Sequence, residues 1–213
     1  MPRKYEITKR IIDVLVGTLG LVVCAPIIML AAAAIKYDSK GSVFFRSRRT
    51  GRHGREFDLF KLRTMRMEQD SNALHVTSAR DDRITQIGRV LRNLKIDELP
   101  QLLNVVRGDL SLIGPRPEAP RYVECFPDAF EKILKVRPGL SDRATLAYLD
   151  EELLLSTKDD PEACYMESVL PAKIGLNLKY IENRGPGEDF KMLVHTVIAV
   201  LRRIGAFLGR VTQ

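Results

Sequence analysis

Residues 11–35 read IIDVLVGTLGLVVCAPIIMLAAAAI, and Asp13 is the only charge among them. As a straight helix rising about 1.5 Å per residue, the run would reach roughly 38 Å, against a bilayer hydrocarbon core of about 30 Å. Three readings compete: a cleaved signal peptide, a spanning helix, and a helix that enters the bilayer and returns. A signal peptide has an apolar stretch of only about 7–15 residues, and this one is longer. The flanking charges separate the other two. Arg3, Lys4, Lys9 and Arg10 precede the run, and Lys36, Lys40, Arg46, Arg48, Arg49, Arg52 and Arg55 follow it. The positive-inside tendency then holds both ends on the cytoplasmic side, which a straight span cannot satisfy. Pro26 lacks an N–H and frees a carbonyl one turn back, so a bend is cheapest there. The pattern favours a re-entrant anchor, with Asp13 beside Arg10 at headgroup level, where a charge is tolerated.

Outward from this run the chain is mixed in pattern. Val43-Phe44-Phe45 and Phe57-Asp58-Leu59-Phe60 flank Gly51-Arg-His-Gly54 and predict a β-hairpin. Residues 66–82 are polar and aperiodic, which predicts a loop. Ile84, Ile87 and Leu91 mark one face of a helix starting near Arg83, and a second helix runs from Asp97 to Arg107-Gly108. Asp160-Pro161 reads as a helix cap with a first-turn proline. A further helix spans Pro171 to about Asn183. In 190–208, Phe190, Leu193, Val194, Val197, Ile198, Leu201 and Ile204 recur at helical spacing. That helix either lies in the membrane interface or packs on the core. The expected fold is α+β and mostly helical. Residues 1–36 form a re-entrant membrane helix, and residues 37–213 a compact cytosolic catalytic domain with a short β-hairpin and amphipathic interfacial helices.

Composition narrows the function. The chain has 213 residues, 45% hydrophobic and 29% charged, which excludes a disordered chain and a polytopic membrane protein. Three cysteines are too few and scattered for a disulfide framework or a CxxC metal site. Lys and Arg outnumber Asp and Glu by 34 to 27, a net charge of +7 that suits an anionic partner. His53, His75 and His195 lack zinc spacing, and Gly51-Arg-His-Gly54 is no P-loop.

The candidate chemistry lies in Lys95-Ile-Asp-Glu-Leu-Pro100. Two adjacent carboxylates at a predicted helix start would be kept ionised by the amide N–H groups and helix dipole. An ionised Asp is a nucleophile towards phosphorus, and its neighbour can help hold Mg²⁺, which takes one or two carboxylates plus substrate oxygens. The same pattern is also routine helix punctuation. Lys61, Arg63, Arg92 and Arg116 are the cations expected to neutralise a diphosphate. Pro115 and Pro117 fix the backbone on either side of Arg116 and so aim its side chain.

Asp97-Glu98-Leu-Pro-Gln-Leu-Leu-Asn104 followed by Arg107-Gly108-Asp109-Leu-Ser-Leu-Ile-Gly-Pro-Arg-Pro-Glu118 resembles the bacterial sugar transferases known as monotopic phosphoglycosyl transferases. Lys9-Arg-Ile-Ile-Asp13, Phe60-Lys-Leu-Arg-Thr-Met65 and Val136-Arg-Pro-Gly139 extend the resemblance in the same order, over about residues 5–205. The resemblance implies transfer of a phosphosugar from a UDP-sugar to polyprenol (undecaprenyl) phosphate on the cytoplasmic face of the bacterial inner membrane, releasing UMP. It implies Asp97 as nucleophile through a covalent phosphosugar intermediate, and Mg²⁺ at Asp97 and Glu98. It also implies Pro115, Arg116 and Pro117 beside the nucleotide, Lys61 and Arg92 near the active site, and a helix bend at Pro26. Two departures stand out: Ala25 replaces a Ser before that proline, and Leu140-Ser-Asp-Arg-Ala-Thr-Leu146 replaces a Trp-containing segment in a chain with no Trp. The sugar preference therefore does not carry over. The expected partners are a UDP-sugar, polyprenol phosphate and membrane lipids. A nucleic-acid partner would leave the Asp-Glu pair and the Pro-Arg-Pro segment without a role. A Mg²⁺-dependent phosphohydrolase and an inactive membrane scaffold are the alternatives. The oligomeric state, homodimer included, stays open.

Overall fold

The computed structural model describes residues 3–66 and 81–211. Most of the loop expected at residues 66–82 lies outside the described residues.

Helix α1, Arg3–Asp38, is assigned unbroken through Pro26 and would extend about 54 Å at an ideal rise. Strands β1 (Phe44–Thr50) and β2 (Glu56–Leu62) form the expected antiparallel hairpin, in register from Phe44 opposite Leu62 to Thr50 opposite Glu56. Leu59 and Leu62 point into the core, each 2% exposed. The hairpin ends where Thr64 O accepts from Thr85 N, which seats helix α2 (Gln86–Asn93) under it. Thr85 caps α2 by accepting from the Gly88 N–H at 3.0 Å.

The helix expected from Asp97 is split. Ile96–Glu98 form a 3₁₀ turn, and helix α3 covers only Gln101–Arg107. The reason is Pro100: without an N–H it cannot donate to the Ile96 carbonyl, so α-type bonding cannot run through it. Leu99 N donates to Ile96 O instead, and bonding resumes beyond the proline. Gly108, at φ 100°, closes α3 in the left-handed position its sequence predicts.

Sequence periodicity missed the second sheet. Strand β3 (Ser111–Ile113) precedes helices α4 (Pro120–Cys125) and α5 (Pro127–Ile133), and strand β4 (Gly139–Ser141) then returns parallel to β3. Three residues per strand are too few to show alternation. A Cβ on Gly139 would lie 2.1 Å from Gly114 N, so this crossing requires glycine. The chain continues through helices α6 (Arg143–Ala147), α7 (Glu151–Leu155) and α8 (Pro161–Cys164), a π turn at Tyr165–Val169, and helices α9 (Leu170–Asn183) and α10 (Pro186–Val211). Asp160 caps α8 as expected, accepting from the N–H groups of Glu162 and Ala163.

The body packs along nearly the whole of α1. Gly17 and Gly20 let it approach Val105 and Leu102 on α3, and Ala31 and Ile35 pack with Leu62 and Leu91. These contacts recur every three to four residues, as one helical face requires. Asp13 is packed inside the body rather than left open beside Arg10. It is 1% exposed and its Oδ1 accepts from Leu112 N at 3.0 Å. Arg10 donates to the Val105 and Val106 carbonyls at the end of α3, and Lys9 pairs with Asp189 at 2.7 Å. The opposite face of α1 carries Ile11, Leu15, Leu19, Val22 and Leu30, all exposed. On α10 the predicted apolar face is likewise largely exposed, including Phe190, Val197 and Leu201.

Candidate active site

Asp97 and Glu98 sit in the 3₁₀ turn between α2 and α3, following Lys95 in a left-handed conformation (φ 57°). They line a cavity of about 1860 Å³ together with Lys61 from β2, Arg92 from α2 and Arg116 from the loop after β3. Five residues separated by up to 55 positions in sequence thus meet in one space.

Glu98 is the ion-paired member of the pair. Its Oε1 accepts from Arg116 Nη2 at 2.7 Å and lies 3.4 Å from Lys61 Nζ. Burial would raise the Glu98 carboxyl, but the opposing charges of Arg116 and Lys61 outweigh it and hold the group well below the usual carboxylate range. For Arg116, burial works against the charge and Glu98 more than restores it, so its guanidinium is held above the ordinary value. Burial pulls Lys61 below the usual lysine range, against the attraction of Glu98.

Asp97 is different. It is 6% exposed, and its Oδ1 is buried without a hydrogen-bond partner. Burial pushes its carboxyl up to about 6, with Lys61 opposing and the Glu98 charge adding to the rise. A helix dipole was expected to keep both acids low. Because the pair precedes α3 rather than capping it, burial dominates at Asp97 and local cations dominate at Glu98. At neutral pH Asp97 is still mostly ionised, poorly solvated and unpaired at one oxygen, which is the condition of a reactive nucleophile.

The remaining expected site residues divide. Arg92 lines the cavity and donates to Thr64 Oγ1 at 2.8 Å. Pro115 and Pro117 are buried and hold Arg116 between them, with Pro115 O accepting from Gly139 N at 2.9 Å. Arg63 also lines the cavity, but its guanidinium is engaged elsewhere. Its two terminal nitrogens donate to the Ser39 and Lys40 carbonyls just after α1, so it ties that helix to β2.

Two supporting groups were not read from the sequence. Asp142, fully buried, accepts from Arg116 N at 3.0 Å and from Thr145 N at the start of α6. Lys173, 5% exposed, lies 3.2 Å from Glu118, two residues beyond Arg116. An Asp just before a helix signals a cap, and the Asp142 pattern shows that much. A lysine within the apolar face of α9 has no local signal.

A divalent cation can be tested against these side chains. The partnerless Oδ1 of Asp97 fits a cation ligand, and Glu98 adjoins it. Among the described residues no group of three or more His, Cys, Asp or Glu could enclose a metal. Two carboxylates are the number that a hard ion such as Mg²⁺ takes when substrate oxygens and water complete its shell.

A buried carboxylate among cations in one large cavity is suited to group transfer on anionic compounds. A family model described as bacterial sugar transferase matches residues 4–203. The chain is 35% identical over 211 residues to a UDP-glucose:undecaprenyl-phosphate glucose-1-phosphate transferase of Caulobacter vibrioides, covering 97% of this chain and 75% of that protein. It is 36% identical over 205 residues to a UDP-N-acetylgalactosamine-undecaprenyl-phosphate N-acetylgalactosaminephosphotransferase of Aeromonas hydrophila, covering 95% of this chain and 45% of the relative. It is also 36% identical to the uncharacterized sugar transferase EpsL of Bacillus subtilis, over 92% of this chain and 88% of the relative. The chain belongs to the bacterial sugar transferase family. It is a phosphoglycosyl transferase, although it spans less than half of the Aeromonas relative.

Proposed function

We propose that the protein transfers a sugar 1-phosphate from a UDP-sugar to undecaprenyl phosphate at the cytoplasmic face of the bacterial membrane. In the first step an Asp97 carboxylate oxygen attacks the sugar-linked phosphorus. The bond from that phosphorus to the bridging oxygen breaks, and UMP leaves with the oxygen. The aspartyl-phosphosugar is then attacked by a phosphate oxygen of the lipid acceptor, which restores the carboxylate and forms the undecaprenyl diphosphosugar. Arg116 and Lys61 neutralise the diphosphate, and Pro115 and Pro117 keep Arg116 aimed. Asp97 and Glu98 would hold Mg²⁺, which supplies charge neutralisation on the diphosphate oxygens.

The observation that carries this reading is what the cavity brings together. The buried Asp-Glu pair, with Lys61 and Arg116, shares its lining with Ile27 of α1, Phe44 and Phe45 of β1, and Val200 and Ile204 of α10, all exposed. Buried polar groups and exposed apolar side chains in one cavity suit a lipid phosphate whose chain stays in the bilayer. A hydrolase using water needs no such apolar side chains.

The body packed against α1 from Tyr5 to Ile35 also favours anchoring through one membrane face, because a spanning helix would have to draw the body into the bilayer with it. One domain would then be the anchor over 1–36 and the other the catalytic unit over 37–213. The test is intact-protein mass after incubation with Mg²⁺ and a panel of UDP-sugars, without lipid acceptor. A gain of one phosphosugar, absent in Asp97→Asn, is the expected result. Turnover of a UDP-sugar with full activity in Asp97→Asn would overturn the nucleophile.

A further inference from the structure

Asp150, Glu151 and Glu152 are consecutive, and each reaches a cation on a different helix. Asp150 Oδ1 lies 3.1 Å from Arg203 Nη1 on α10, Glu151 Oε2 lies 3.1 Å from Lys173 Nζ on α9, and Glu152 Oε1 lies 3.1 Å from Arg92 Nη1 on α2. All six side chains line the cavity that holds Asp97 and Glu98. They join the start of α7 to three walls of the same space.

Apart from these pairs, Arg203 also donates to Leu149 O just before α7, and α7 keeps Leu155 in a core cluster. The helix has five residues, too short to be stable alone. Leu155 is buried at 1%, but Leu153 and Leu154 are exposed at 60% and 41%. The three ion pairs are unequal. Lys173 and Glu151 are largely buried, and Lys173 is held a second time by Glu118. The Asp150 and Glu152 side chains are 70% and 44% exposed, so each of their pairs is worth no more than about five-fold in an equilibrium. One end of the triplet's attachment is firm and two are weak.

We propose that Asp150 and Glu152 form a latch that an anionic substrate displaces, with the buried Glu151–Lys173 pair as its fixed point. Glu152 pairs with Arg92, a cation that the donor diphosphate would use. An anion that takes Arg92 must release Glu152, so donor binding and release of α7 are coupled. By linkage, the closed latch lowers donor affinity by the fraction of molecules that are open. This inference rests on the transferase reading for the identity of the anion, while the latch itself is defined by the ion pairs.

Two measurements on the full chain in lipid nanodiscs test it. Amide hydrogen exchange at residues 153–157 should accelerate when inorganic pyrophosphate is added to the wild type. In Glu152→Gln the same amides should exchange fast without it. Unchanged or slower exchange in the wild type would overturn the latch. In steady state, Glu152→Gln should lower the donor KM by about two- to five-fold, as should Asp150→Asn. A raised KM in Glu152→Gln would make Glu152 a donor contact, and unchanged values in both variants would make the pairs merely structural; either sinks the proposal. If the wild type turns over no UDP-sugar with undecaprenyl phosphate, the transferase reading fails separately, and the exchange result alone decides the latch.

Discussion

Asp97 and Glu98 are chemically similar neighbours whose surroundings push them in opposite directions, and the same conservative change should have opposite effects on stability. The folded Asp97 carboxyl titrates at about 6 and the ordinary value is 3.8. Between those values the folded chain binds more protons than the unfolded one, so ionising Asp97 lowers stability as pH rises from about 4 to about 6. In magnesium-free protein, Asp97→Asn should raise the melting midpoint at pH 7 by about 2–6 °C while abolishing turnover. Glu98 lies below its ordinary value, so it contributes stability that is complete above about 4.5 and lost as pH falls through its lower folded value. Glu98→Gln should lower the midpoint at pH 7, because it leaves Arg116 and Lys61 without their counter-charge. Calorimetry of both variants across pH 4–8 checks the pair, and a lower midpoint in Asp97→Asn would count against a strained nucleophile. The two acids and Arg116 were legible because they fall in short distinctive runs. The tie from Arg63 to the Ser39 and Lys40 carbonyls was not, since those carbonyls are brought near only by the turn from α1 into β1.

At the scale of elements, the helices could be read from caps and periodicity, but the way they lock together could not. The Lys9-Arg10-Ile-Ile-Asp13 run looks like membrane-flanking charge. In the fold it is a clasp: Lys9 on Asp189, Arg10 on the end of α3, Asp13 on the amide of Leu112 in β3. Asp13→Ala removes the acceptor of a buried N–H and should destabilise the protein by about 1–3 kcal/mol, read from denaturant or thermal midpoints. The parallel pairing of β3 and β4 was invisible for a different reason, since it is too short to carry a pattern and depends on two glycines in contact. Gly139→Ala would drive a methyl into Gly114 and displace the Pro115–Pro117 loop. Donor KM should rise at least about ten-fold there, a 1.4 kcal/mol effect, more steeply than kcat falls. An unchanged KM would separate this crossing from the placement of Arg116.

For the whole molecule, the decisive question is how α1 meets the membrane. Among the described residues it is the one helix long and apolar enough to cross a bilayer. Length alone therefore permits a span. The packing argues for another arrangement, because one face of α1 is committed to the body from Tyr5 to Ile35 while Ile11, Leu15, Leu19, Val22 and Leu30 remain for lipid. Lys4 and Tyr37, near the two ends, are both exposed, Tyr37 at 97%. With Cys24, Cys125 and Cys164 replaced by Ser, single cysteines at positions 4 and 37 can be labelled in sealed inverted membrane vesicles with an impermeant maleimide. Anchoring through the cytoplasmic face predicts that both react without detergent. If one reacts only after the membrane is opened, α1 spans, and the body must separate from half of that helix in the bilayer. Because the body continues from the C-terminal end of α1, the half that leaves it carries Asp13, and the clasp variant Asp13→Ala would no longer alter stability in vesicles. The labelling pattern and the stability of that variant therefore have to agree, which makes the one-face arrangement testable twice by independent measurements.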